Sequence, residues 1–157
     1  MPGLDPAEAC AWESFIDATL RVYGSLNRTL SEQHRLTLLD VRLLEILCNS
    51  ATGSARMGDL AEQLVSLPSR VTRQIRRLEE AGLVHREASP EDGRGVLATI
   101  TDRGRDAFSE AIVTYAEAVR QRFVAPMTRA QVSAVGENCR RISTGLRSNG
   151  NGKAARA

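Results

Sequence analysis

A chain of 157 residues with a formal charge of +2 is long enough for one ordinary domain and too short for two comfortable ones. So small a charge excludes a polycation that holds nucleic acid by bulk attraction, and scarce aromatics leave the core to Leu, Val, Ile and Ala, which suits helix packing. Cys10, Cys48 and Cys139 stand far apart and in no metal spacing, and no apolar run reaches the roughly 18 residues that span a bilayer; a soluble, cytoplasmic chain with no metal and no cofactor is expected.

Residues 1–5 read as a loose lead-in, and Pro6 opens a helix, where its missing N–H costs nothing. Over 7–29, Phe15, Ala18, Val22 and Leu26 recur at helical steps, so a long amphipathic helix is predicted, followed by a polar connector at 31–36. Thr37 caps a second helix, with Asp40 reaching back to its start and Val41, Leu44 and Leu47 facing inward; 50–54 ends it, with Gly53 in the turn. An extended piece at 55–57 leads to a third helix at 59–64, for which Gly58 is a tolerated cap. Ser66 caps a fourth helix, with Pro68 and Ser69 in its first turn, and Gly82 stops it after Ala81. Strands at 83–88 and 96–100 then flank a charged, glycine-bearing tip. Thr101 with Asp102 caps a fifth helix that runs to about Val124, where Pro126 breaks the pattern. Thr128 and Gln131 box the start of a sixth helix ending near Leu146, and the tail 148–157 is expected to be disordered.

The fold class is therefore mainly α with a small β wing: one domain, with a winged helix-turn-helix at 37–103 between flanking helices at 6–36 and 104–147. In the fourth helix Val71, Ile75 and Leu78 form an inward stripe, which turns Arg70, Arg73, Gln74 and Arg77 outward, with Ser69, Thr72 and Arg76 on the borders. No acid appears before Glu79, whereas an ordinary solvated face mixes signs. A helix that enters the DNA major groove needs that asymmetry, since arginine can bridge guanine or clamp phosphate and hydroxyls can donate to phosphate oxygens. At the wing tip Arg94 stands between Gly93 and Gly95, a thin cation suited to the minor groove. Asp92 would be repelled by phosphates and is read as a brace that pairs with an arginine such as Arg77.

The run from Leu60 and Ala61 through Val71, Thr72, Arg73, Leu78, Glu79, Gly82, Leu83 and Val84 to Asp92, Gly93, Arg94, Thr101 and Gly104 resembles the multiple antibiotic resistance regulator (MarR) family. The resemblance implies a homodimer whose flanking helices intertwine, a pseudo-palindromic double-stranded DNA operator, and repression relieved by a small phenolic or lipophilic effector. It makes the fourth helix the recognition helix and Arg94 the wing arginine. Gly58 departs from the family's polar cap, and Leu67 and Pro68 stand where polar or basic residues are common.

Trp12, Phe15 and Tyr23 are candidates for an effector pocket, or for dimer core. Two other classes compete with the ligand-released repressor. A redox sensor would use Cys10, but Glu8 and Glu13 are poor neighbours for a thiolate. A winged helix serving only protein interaction would lack the outward arginines. No phosphate loop, dinucleotide fingerprint or nucleophile elbow is present, so no enzyme is expected, and His34 and His85 have no ligand partner at helical spacing.

Overall fold

The computed structural model describes residues 1–88 and 95–154, and for 148–154 the backbone alone. The chain forms two compact units, Met1–Ala118 and Val119–Ala157.

The first unit opens with helix α1, Pro6–His34, which starts at a true cap rather than a loose lead-in. Asp5 accepts from Ala7 N and Glu8 N, and Glu8 accepts from Asp5 N, a complete capping box. α1 also continues through the expected connector, because nothing in residues 31–34 forbids helix, and it ends only at Arg35, whose left-handed backbone turns the chain. Thr37 and Asp40 box the start of α2, Leu38–Asn49, as the sequence predicts. Gly53, at φ +73°, makes the turn into strand β1, Ser54–Arg56.

Helix α3, Met57–Gln63, begins two residues earlier than expected, with Arg56 as N-cap, so Gly58 lies in its first turn and caps nothing. Helix α4, Pro68–Glu80, has Leu67 as N-cap, one residue after the expected Ser66, whose N–H closes the preceding turn onto Ala61 O at 2.9 Å. Strands β2, Val84–Ala88, and β3, Val96–Ile100, form the expected antiparallel hairpin, with Val84 opposite Ile100. β1 adds to the other edge of β3, giving order β1-β3-β2, and Ser54 and Thr99 share a hydroxyl contact of 2.8 Å across it.

Helix α5, Asp102–Val119, is seated on the hairpin by Thr101. The hydroxyl of Thr101 accepts from Gly104 N and donates to Gly82 O. A side chain at residue 104 would put its Cβ 2.1 Å from Leu83 O, so glycine is required there by close approach. The core joins the α2 and α4 stripes to Leu60, Leu83, Val84, Ala98 and Ile100, and reaches Leu30 of α1 and Ala111 of α5. This core includes residues on both sides of position 37. Of the expected α1 stripe only Leu26 is buried, and Phe15 stays 44% exposed.

In the second unit a π-helical turn, Arg120–Val124, replaces the last part of the expected fifth helix. Ala125 N bonds Arg120 O at 2.8 Å, the wide i→i+5 closure of such a turn. Helix α6, Arg129–Ala154, has the predicted cap, with Thr128 N on Gln131 Oε1 at 2.8 Å. α6 runs past Leu146 into the stretch expected to be disordered; that stretch has few groups to bury but holds no proline, the residue that stops a helix most strongly. Among the described residues no helix is long and apolar enough to cross a membrane.

Candidate nucleic-acid interface

α3 and α4 form the helix-turn-helix. The turn is closed by Leu64 N on Leu60 O at 3.1 Å and Val65 N on Glu62 O at 3.0 Å, with Val65 in the left-handed region at φ 48°. α4 then lies across the lobe with Val71, Ile75 and Leu78 fully inward, as their spacing predicts. That burial fixes the rotation of the helix and decides where every other side chain points.

Ser69, Arg70, Arg73 and Arg76 are exposed, in keeping with an outward basic face. Thr72 is half-buried, and its hydroxyl donates to Pro68 O at 2.9 Å, so it closes the first turn of α4 as well as bordering the face. Ser69, Thr72, Arg73, Arg76, Arg77 and Glu80 line an open trough along the helix.

Gln74 and Arg77 differ from expectation. Gln74 is half-buried and donates through Nε2 to Thr37 Oγ1 at 3.2 Å and to Asp40 Oδ1, while Arg77 Nη2 pairs with Asp40 Oδ2. Asp40 is fully buried and also accepts from Thr37 N at 2.6 Å and Thr37 Oγ1 at 2.7 Å. A buried carboxylate is tolerable only with such a set of donors. Gln74 and Arg77 are thus tethers that pin α4 to the start of α2, and the Arg77 side chain, still 45% exposed, keeps part of its guanidinium in solvent. In the sequence Asp40 reads as a cap and not as a hub. The signal was present, since Asp40 shares the i, i+4, i+7 stripe of Leu44 and Leu47.

Arg77 pairs with Asp40; Arg94, and Asp92 with its expected pairing to an arginine such as Arg77, lie outside the described residues. The root of the wing is held elsewhere: Arg86 on β2 meets Glu79 at the end of α4 through Nε at 2.7 Å and Nη2 at 2.6 Å. These bonds hold the Glu79 carboxyl below its ordinary pKa. His85 is exposed on β2, whereas His34 bonds the Thr114 hydroxyl at 2.8 Å.

A cleft of about 400 Å³ opens between α1, α2, the α3–α4 turn and α5, walled by Leu38, Leu39 and Leu64 and edged by Tyr23, Tyr115, Arg42 and Arg70. Of the three aromatics expected at a pocket only Tyr23 lines this cleft. Trp12 and Phe15 lie farther towards the α1 N-terminus, where nothing in the lobe core reaches, with ring centroids 6.2 Å apart. Cys10 and Cys139 are exposed; burial pushes the Cys48 thiol up, against the pull of Arg105.

The model of the MarR family matches residues 36–96. The HTH-type transcriptional repressor Rv2887 of Mycobacterium tuberculosis is 38% identical over 97 residues, which cover 60% of this chain and 68% of that one. Two crystal structures of MarR family transcriptional regulators from Streptomyces coelicolor superpose over most of their length. AbsC gives a TM-score of 0.86 at 28% identity, covering 94% of this chain and 99% of its own. Sco3205, in complex with DNA, gives 0.87 at 31% identity, covering 91% and 93%.

Proposed function

The chain belongs to the MarR family of DNA-binding transcription regulators, and from that premise we propose that it is a homodimeric repressor, not an enzyme, released from a pseudo-palindromic operator by a small effector. The observation that carries the reading is the outer face of α4: Ser69, Arg70, Arg73 and Arg76 exposed on a helix whose opposite stripe is wholly buried. Such a helix can enter a major groove without disturbing the core, with guanidinium groups placed for guanine edges and phosphates. Arg94 is the proposed wing contact, and Asp92 its brace. A partner of this kind supports a cytoplasmic location.

Two recognition helices must meet successive major grooves, so a second copy is required. The exposed aromatic stretch of α1, with Trp12 48% and Phe15 44% exposed, supports burial against that copy, as do the exposed Ile142 and Leu146 of α6. Truncation before Pro126 is expected to abolish the dimer; a dimer that persists in sedimentation removes α6 from that role.

The cleft supports an effector site. Its apolar walls and the rings of Tyr23 and Tyr115 suit a small phenolic or lipophilic body, and Arg42 and Arg70 would attract an anionic group. Arg70 belongs to both the cleft and the DNA face, so an effector that engages it competes with the operator. Selection of bound fragments from genomic DNA tests the function: a two-fold symmetric sequence should emerge, bound with an affinity that falls steeply with salt. Failure to enrich any sequence would overturn the reading.

A further inference from the structure

The mouth of α4 breaks two local rules with no return in stability. Leu67 occupies the N-cap, where a serine, threonine, aspartate or asparagine would satisfy an orphan N–H, and it makes no side-chain cap bond. It is also 72% exposed, an aliphatic side chain with little of the chain against it. Pro68 follows at the first helical position, likewise exposed, so the two form one apolar tip. Val65, 89% exposed with a left-handed backbone, belongs instead to the side of the turn that lines the cleft. Departures of this kind in an otherwise consistent lobe collect where function overrides folding.

We propose that Leu67, with Pro68 beside it, is a specificity-determining residue that reads the C5-methyl of a thymine in each operator half-site. The inference rests on the reading that α4 enters the major groove. A recognition helix contacts base edges with its N-terminal residues, so the N-cap approaches the groove floor. The tip is continuous with the basic face through Ser69 and Arg70, and the exposed Arg70, Arg73 and Arg76 of that face bring phosphates to the helix beside it. An isobutyl group can bond neither phosphate nor a polar base edge. On the groove floor the thymine methyl is the one apolar group displayed, whereas guanine, cytosine and adenine present donors or acceptors that Leu67 would strip of water and leave unpaired. Leu67 thus favours thymine by contact and disfavours the other bases by desolvation.

The test uses the full-length protein and the operator recovered by selection, with each thymine of a half-site replaced in turn by uracil, which removes the methyl alone. Anisotropy titration of the unaltered protein should show one position per half-site where uracil weakens binding about fourfold, the worth of one buried methyl-sized group. Leu67→Ala should bind thymine and uracil at that position alike. Leu67→Ser should do the same while supplying the missing cap, so its melting temperature should not fall, and loss of discrimination cannot then be assigned to misfolding. Indifference of the unaltered protein to every uracil overturns the inference, as does discrimination that survives in both variants. Absence of any sequence-selective binding overturns the DNA-binding reading and this inference with it, whereas selective binding without thymine discrimination overturns this inference alone.

Discussion

Arg73 and Arg77 stand one turn apart on α4, and local sequence treats them alike. Arg73 is exposed on the outer face, while Arg77 commits a nitrogen to the buried carboxylate of Asp40, beside Gln74. The difference teaches that the polar side of this helix has two parts. One presents charge to a partner; the other holds the helix at a fixed angle on α2, so that the first part is aimed.

Substitutions that separate the two parts should have effects of distinct kinds. The largest is expected from Asp40→Ala, which strands Arg77 and Gln74 and opens the α2 cap. It should cost about 3 kcal/mol of stability in urea unfolding, near the lower end for a broken buried pair because Arg77 reaches solvent. Operator affinity should fall with it, and an unchanged unfolding midpoint would deny Asp40 its role as hub. Arg73→Ala should do the reverse: affinity weakened by about 2 kcal/mol if its base contact is bidentate, with the melting temperature unmoved. Arg77→Ala should show both signatures, about 2 kcal/mol in unfolding, because the buried Asp40 carboxylate loses its cation but keeps Thr37 and Gln74 as donors, and about 1 kcal/mol in operator titration. If it alters binding alone, the distinction between tether and contact collapses.

The smallest effect concerns pH. Glu79 is held below its ordinary value of 4.5 by Arg86. A depressed folded-state value means that the folded state binds the proton less readily than the unfolded chain. The contribution of this pair is therefore present above about pH 4.5 and fades as pH falls through the folded value. Arg86→Gln should remove that part of the acid dependence, measured by thermal unfolding between neutral and acid pH, with a small loss of stability at neutral pH and none in acid. An identical acid profile would show that the pair does not anchor the wing root.

The legible parts of the fold were those carried by short-range chemistry. The spacing of Val71, Ile75 and Leu78 predicts which face of α4 is buried, and Thr37 with Asp40, like Thr128 with Gln131, marks a helix start within four residues. Ser66 marks the limit of that local chemistry: serine is a good cap, but the helix starts one residue later, with Leu67 at the boundary. In the site, the exposed arginines were visible from the inward stripe alone. The fate of Gln74 and Arg77 was not, because their partner lies 37 and 34 residues away for Arg77 and Gln74 respectively. Trp12 and Phe15 show a further limit, since an amphipathic pattern says that a face seeks cover without saying what provides it.

By itself the sequence determined the order of helices and strands, the buried side of α4 and the sign of its outer face, because periodicity, caps and turn residues act within a few positions. Only the tertiary structure decided that Asp40 gathers Gln74 and Arg77, that β1 joins the wing sheet opposite Thr99, and that Tyr23 shares a cleft with Arg70. Those pairings join segments far apart in the chain. Which of several compatible donors meets a buried acceptor is settled by how closely the packed helices bring them together.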